Sequence, residues 1–134
     1  MKYPQIRKQR DAKTSELIKE CKMFFAFSNK QFEKGIKENP LDEGDKYFSI
    51  CTGSYMPKSN VEKYKKGCND INEWYDAIIK ENNMDDEFIL YELVNHEAFY
   101  TGKINDTYDA LGGKYTNEKI WEVFNKNYDD YADC

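Results

Sequence analysis

The chain has 134 residues, of which 34% are charged and 16% aromatic, and a formal net charge of −5 at pH 7. That length predicts one domain with a sizeable core. No stretch approaches the roughly 20 apolar residues of a membrane span, and residues 1–11 lack the apolar core of a signal peptide. The four cysteines show no Cys-x-x-Cys spacing, so neither a zinc site nor a disulfide framework is indicated. We expect a cytoplasmic protein with reduced thiols, no metal and no cofactor.

Charge is unevenly placed along the chain. Residues 1–22 carry seven Lys and Arg against three Asp and Glu, whereas residues 83–134 carry four against twelve. The acidic half disfavours direct nucleic-acid binding and suits a basic protein partner. The alternative is a merely solvated face, or a basic segment that contacts the acidic half of its own fold or of a neighbouring copy.

The N-terminal part is predicted to begin with a polar, basic arm over residues 1–12, which we expect to fray. A short helix follows over residues 13–22. Met23–Phe27 is predicted to be a strand, because it is compact, apolar and ends abruptly at Ser28. Ser28 and Gln31 have the spacing of a capping box, which predicts a helix that ends near residue 37.

The middle of the chain is predicted to hold a second strand and the longest helix. Lys46–Thr52 is rich in aromatic and β-branched residues, which favours a strand, and residues 54–58 are predicted to form a loop. A second capping box, Ser59 and Glu62, predicts a helix to about residue 82. Its inward positions recur every three or four residues, at Val61, Tyr64, Cys68, Ile71, Tyr75 and Ile78.

The most apolar stretch, Phe88–Gly102, contains the only histidine, His96. Residues 88–94 could form a buried strand, or a helix that starts near three acidic residues at 85–87. We favour the helix, because Leu, Glu and Ala support it and the apolar residues recur at helical spacing.

The remainder is predicted to be helical. Asn105 or Asp106 can cap a short helix that ends at Gly112. Thr116 can cap a final helix with four inward-facing residues, Ile120, Trp121, Val123 and Phe124. The sum is an α+β fold, a mostly helical single domain with a small two- or three-stranded sheet that the helices cover. We place the globular domain at residues 13–127 and an acidic tail at 128–134.

His96 offers the most specific chemistry in the sequence. In a helix Glu92 lies one turn before it on the same face, and Glu97 follows directly. A carboxylate beside an imidazole can serve as a general base, so Glu92, His96 and Glu97 are candidate catalytic residues of a small metal-dependent hydrolase. One histidine with scattered carboxylates is a poor zinc site, however, and the chain contains no nucleophile elbow or phosphate-binding glycine loop. We favour a histidine that braces the end of its helix.

Three stretches of the sequence resemble one family. They are MFFAFSNKQFEKG at 23–35, LYELVNHEAFYTG at 90–102 and DTYDALG at 106–112. In this order they are similar to a family of small uncharacterised phage and prophage proteins, over about residues 14–113. The resemblance implies a phage-derived product that acts in the cytoplasm of a bacterial host cell, and it implies no catalytic residues.

These observations favour an accessory protein that binds a host or phage macromolecule over an enzyme. One concrete form is an inhibitor of a bacterial nuclease-type defence system, similar in action to an anti-CRISPR protein, that competes for a basic nucleic-acid groove. The candidate contact residues are Glu118, Glu122, Tyr128, Asp129, Asp130 and Tyr131. The alternatives are the hydrolase centred on His96 and a phage structural component whose basic arm contacts the acidic body of the next copy.

Overall fold

The computed structural model describes residues 2–132. It is mostly helical with a small three-stranded antiparallel sheet, which confirms the predicted α+β class. The strands are β1 (Phe24–Phe25), β2 (Tyr47–Phe48) and β3 (Ser54–Pro57), in the order β1-β3-β2. The helices are α1 (Tyr3–Glu20), α2 (Asn29–Glu38), α3 (Val61–Glu81), α4 (Asp85–Asn95), α5 (Ala98–Thr101), α6 (Asn105–Ala110) and α7 (Asn117–Tyr131). Over residues 2–132, no helix has the length and apolar character needed to cross a membrane.

Backbone contacts group the chain into two compact units, Lys2–Asp76 and Ala77–Cys134. We call them the N-terminal unit and the C-terminal unit and describe each in turn. The N-terminal unit holds the sheet, and the C-terminal unit is helical wherever it has regular structure within the described residues.

The predicted N-terminal arm is wrong over residues 3–12, because these residues belong to α1. Pro4 lies in the first turn of that helix, where a missing amide N–H breaks no hydrogen bond. Tyr3 and Ile6 are buried one turn apart, and Tyr3 Oη lies 2.7 Å from Tyr75 Oη on α3. The apolar residues of this long polar helix show little helical periodicity, because only Tyr3, Ile6 and Leu17 are fully buried.

The sheet is shorter than predicted, and its central strand lies where we predicted a loop. β3 pairs with both other strands, with Phe24 opposite Tyr55 and Phe48 opposite Met56. Gly53 precedes β3 and Pro57 is its last residue, and both are turn signals that concealed the strand. The predicted strand at 46–52 stops early because serine side chains form a turn, in which Ser54 Oγ donates to the Cys51 carbonyl at 2.9 Å.

Of the two predicted capping boxes, the first forms in part: Ser28 caps α2, but the Gln31 side chain bonds to the residue before the N-cap. Ser28 Oγ accepts a hydrogen bond from the Gln31 amide at 3.2 Å, and Gln31 Oε1 accepts one from the Phe27 amide at 2.7 Å. The second box is wrong, because Ser59 Oγ donates to Asp45 Oδ2 at 2.5 Å and a turn of 3₁₀ helix precedes α3. The inward face of α3 is confirmed, with all six predicted positions buried or half-buried.

In the C-terminal unit, the apolar stretch is a helix rather than a strand. α4 buries Phe88, Ile89 and Leu93, and the acidic residues 85–87 occupy its first turn. The predicted cap at Asn105 or Asp106 is wrong, because Ile104 is the N-cap of α6 and makes no side-chain capping bond.

The last helix begins as predicted and ends later than predicted. Thr116 Oγ1 accepts a hydrogen bond from the Lys119 amide at 3.1 Å. Three of the four inward positions, Ile120, Val123 and Phe124, are buried, but Trp121 is exposed. Residues 128–131 of the predicted tail form the last turn of α7, and residues 133–134 lie outside the described part of the chain.

Candidate functional site

His96 and Glu92 form the pair that the helical spacing predicted. His96 caps the C-terminus of α4, and its Nε2 lies 3.3 Å from Glu92 Oε2, one turn earlier. The two side chains are 31% and 13% exposed, respectively. The Glu92 carbonyl also accepts a hydrogen bond from the buried Thr107 hydroxyl of α6, at 3.4 Å. The side-chain pair therefore lies within the end of α4, and the contact with α6 is made by the Glu92 backbone, so the role of His96 as a brace stays a prediction.

Glu97, the third candidate catalytic residue, lines a groove with aromatic walls. Its backbone is left-handed, with a φ of 56°, because it follows the C-cap of α4 and turns the chain into α5. Among residues 2–132, no three His, Cys, Asp or Glu side chains are placed to share a metal ion. The described residues therefore offer no ligand set for a metal-dependent hydrolase.

The groove has a volume of about 400 Å³ and is formed by the ends of α4 and α7 together with α5. We call it the Glu97 groove. Tyr100 is its most exposed wall, with 89% of the side chain accessible to solvent. The lining residues are Val94, Glu97, Phe99, Tyr100 and Tyr131.

Behind the groove lies a column of three aromatic rings. The Phe99 ring stacks on Phe124 at a centroid distance of 4.8 Å and an interplanar angle of 7°, and on Tyr131 at 5.2 Å and 22°. Phe124 and Tyr131 are two turns apart on α7, about 10 Å along the axis, so Phe99 lies between them. The edge of Trp121 also contacts Phe124 at 5.0 Å. Phe99 is covered on both faces, so the column holds the ring of Tyr131 in place at the groove.

All six predicted contact residues lie on α7, but they do not form one patch. Glu118, Glu122 and Asp129 are spaced four and seven residues apart, which places them on one exposed stripe. We call these three residues the acidic stripe. Tyr128 and Asp130 are exposed on neighbouring faces of α7, whereas Tyr131 is half-buried and lines the Glu97 groove.

One member of the acidic stripe takes part in an ion-pair network. Lys119 Nζ lies 3.5 Å from Glu122 Oε2 and 2.8 Å from Asp86 Oδ1 on α4. The hydrogen bond to Asp86 raises the pKa of Lys119 above its ordinary value. This network fastens α7 to α4 and presents the stripe on a fixed helix.

Sequence reasoning missed three residues of the groove, Val94, Phe99 and Tyr100. They belong to the apolar stretch, which a periodicity argument assigns to the core. Val94 lies on the exposed face of α4 next to the buried Leu93. The left-handed turn at Glu97 then interrupts the helical periodicity, so that Ala98 is buried and Tyr100 is exposed. A charged residue inside an apolar stretch was the only available sign of this turn.

Taken together, the fold and the surface define a small, mostly helical α+β protein whose C-terminal unit carries an acidic helix face and, separately, an aromatic groove. A family model matches residues 6–130, and the chain therefore belongs to a family of unknown function, DUF7659. Searches of the curated proteins and of the solved structures found no match. The family description carries no activity, so the function has to be inferred from the chemistry of the surface.

Proposed function

We propose that this chain is a binding protein that contacts a basic macromolecule through the acidic stripe of α7, with the Glu97 groove of the same unit as a second contact. The observation that carries the proposal is the joint exposure of carboxylates and aromatic rings on one strongly acidic unit. Residues 77–134 contain thirteen Asp and Glu against five Lys and Arg. Aromatic side chains supply contact area at interfaces, and a single-sign field steers an oppositely charged partner into place.

A protein that itself binds nucleic acid is the partner that fits this surface best. Such a protein carries a basic groove for phosphates, and exposed carboxylates on a rigid helix can occupy that groove in their place. In the specific form of this proposal, the chain is a phage accessory protein that inhibits a bacterial nuclease-type defence system. The support for this form is the likeness of three sequence stretches to phage and prophage proteins, together with the acidic stripe.

The test is affinity capture from a bacterial lysate with matched charge variants. One variant neutralises the stripe, with Glu118→Gln, Glu122→Gln and Asp129→Asn. The control neutralises three exposed carboxylates of the N-terminal unit, with Glu33→Gln, Glu62→Gln and Glu73→Gln. At about 0.5 kcal/mol per exposed carboxylate, the stripe variant should bind its partner about tenfold more weakly.

Which of the two variants loses the captured partner decides between a specific contact and an effect of net charge. The proposal expects the stripe variant to lose a basic partner that the wild type and the control retain, with capture weakening as salt increases. A recovered nuclease should also release its nucleic acid when the wild type is added. If both variants capture equally less partner, the effect is one of net charge alone. If neither variant changes the amount captured, the proposal is wrong.

The hydrolase remains an alternative because of one observation, the accessible Glu92–His96 pair at 3.3 Å. Elemental analysis and a His96→Ala variant separate the two functions. The binding proposal expects that variant to keep full partner affinity and full biological effect. Loss of the biological effect with intact partner binding would favour the enzyme instead.

The remaining candidate, a phage structural component whose copies contact one another, also stays a proposal. Its basic residues at 2–12 belong to α1 rather than to a free arm, so a second copy would have to contact a folded helix. Light scattering across low and moderate salt tests it, and a monomer throughout would argue against assembly.

A further inference from the structure

The Glu97 groove has the chemistry of an arginine-binding site, and we propose that it takes one arginine side chain of the basic partner. This inference rests on the proposed function and assigns it a specific contact. Its three requirements are an aromatic face, an acidic residue in the lining, and room for a side chain.

The aromatic wall is already assembled. Phe99 and Tyr131 lie within 22° of parallel at 5.2 Å, and Phe124 supports Phe99 from the other side. Because both faces of Phe99 are covered, a planar guanidinium would stack on the ring of Tyr131, where the ring quadrupole attracts the cation and both surfaces are flat. Tyr100 supplies a further ring that is almost fully exposed. The groove, at about 400 Å³, lies within the range of about 300–1,000 Å³ that small ligands occupy.

Glu97 supplies the counter-charge. A carboxylate can accept two parallel hydrogen bonds from a guanidinium, which a lysine ammonium cannot donate in that geometry. Position 97 has a φ of 56°, where glycine would be unstrained and glutamate is not. Lys22 and Asn83 have similar φ values of 56° and 54°, so this strain marks a turn and the case for Glu97 rests on its place in the groove.

A second groove on the N-terminal unit shows why the carboxylate matters. It has nearly the same volume, about 390 Å³, and its walls include Phe27, Phe32 and Tyr55. No Asp or Glu is among its lining residues. Aromatic walls alone would accept many apolar groups, whereas the Glu97 groove combines them with an acidic residue in the acidic unit. That combination is specific for a cationic group with a flat face.

The experiment measures peptide binding by NMR, through the ring resonances of Phe99, Tyr100 and Tyr131. The probes are three short glycine peptides that carry one arginine, one lysine or one citrulline, which has a similar shape to arginine without its charge. The arginine peptide should shift these resonances, the lysine peptide should bind more weakly, and the citrulline peptide should leave them unchanged. Citrulline binding equal to arginine binding would overturn the proposal.

Three variants, one of them a control, separate a binding role for Glu97 from a structural one. Glu97→Gly relieves the left-handed strain, so the variant should unfold at a higher denaturant concentration while binding the arginine peptide about tenfold more weakly. Lys22→Gly is the matched control, because Lys22 has the same φ of 56° in the N-terminal unit. It should gain stability and keep full binding. Tyr100→Ala should weaken binding without changing stability, since its side chain is exposed. A Glu97→Gly variant that binds as well as the wild type would refute the inference.

Failure of this inference can be distinguished from failure of the proposed function. If the stripe variant loses the captured partner while Glu97→Gly and Tyr100→Ala keep it, the arginine site is wrong and the binding function stands. If the arginine peptide binds as expected but the wild type captures no basic partner, the groove is confirmed and the proposed function fails.

Discussion

Residues 2–76 and residues 77–134 both expose aromatic side chains, but the charge that accompanies these rings differs. In the N-terminal unit Phe25 and Phe27 are 51% and 75% exposed, and its fifteen Lys and Arg nearly balance twelve Asp and Glu. In the C-terminal unit Tyr100 and Tyr128 are exposed beside an excess of carboxylates. An exposed ring by itself is therefore a poor marker of function. The charged residues beside an exposed ring determine which ligand that ring can bind.

The two units also differ in how far aromatic side chains fill their interiors. In the N-terminal unit Phe24, Phe32, Tyr47 and Tyr55 pack on one another between α2 and the sheet, with centroids 4.9–6.2 Å apart. The C-terminal unit has a mainly aliphatic core, which includes Ile89, Leu93, Leu111, Ile120 and Val123. Because these aliphatic residues fill its interior, several aromatic rings of the C-terminal unit remain available to form a surface.

The largest expected effect tests that aliphatic core. Leu93 is fully buried in α4, and Leu93→Ala should lower the free energy of unfolding by about 2–5 kcal/mol through lost contacts and a residual cavity. Its neighbour Val94 is 46% exposed, so Val94→Ala is the matched control and should change stability by about 0.5 kcal/mol or less. Urea denaturation monitored by circular dichroism measures both. Equal losses at the two positions would contradict this description of the core.

A second prediction concerns the aromatic packing of the N-terminal unit. Gly35 lies in α2, where alanine would normally stabilise the helix by about 1 kcal/mol. A Cβ at Gly35 would lie 2.1 Å from Phe24 Cδ2, so Gly35→Ala should instead destabilise by about 1–3 kcal/mol. Lys37→Ala on the exposed face of α2 is the control and should be nearly neutral. A stabilising Gly35→Ala would show that the four-ring cluster is loosely packed.

Sequence reasoning succeeded where one strong local signal determined the structure. The regular spacing of Val61, Tyr64, Cys68 and Tyr75 defined α3, and the Ser28–Gln31 pair defined the start of α2. It failed for α1, whose few buried positions are stabilised by partners far along the chain, such as Tyr75 for Tyr3. Local propensity contains no information about such distant partners.

The candidate surface was predictable only in its charge. Acidic composition pointed to Glu118, Glu122 and Asp129, and the structure places all three on one exposed stripe. The Glu97 groove was not predictable, because it depends on a single left-handed residue and on Phe99 stacking between two turns of α7. Both features arise from tertiary packing.

The smallest expected effect is the change with pH in the stability that one carboxylate of each unit contributes. Burial alone would raise the pKa of Asp85, but hydrogen bonds from Lys80 Nζ at 2.6 Å and Tyr115 Oη at 2.5 Å outweigh it and lower that pKa below its usual value. In the N-terminal unit the hydrogen bond from Ser59 likewise lowers the pKa of Asp45. Because each folded-state pKa lies below the unfolded value of about 3.9, each carboxylate stabilises the fold above that pH. This stabilisation is lost as the pH falls through the folded-state pKa.

Asp85→Asn should therefore lower stability at pH 7, by about 1 kcal/mol or less, and the difference from wild type should shrink as the pH falls below about 4. Tyr115→Phe removes one of the two hydrogen bonds and keeps the carboxylate, so it should lose only part of the effect. Asp45→Asn should show the same dependence on pH with a smaller amplitude, since the Asp85 side chain is only 26% exposed and Asp45 is screened by water. Urea midpoints at pH 7 and pH 3 measure all three variants. An Asp85→Asn deficit that persists undiminished at pH 3 would mean that the carboxylate acts through packing, and the electrostatic fastening of α4 would have to be assigned to Asp86 and Lys119 instead.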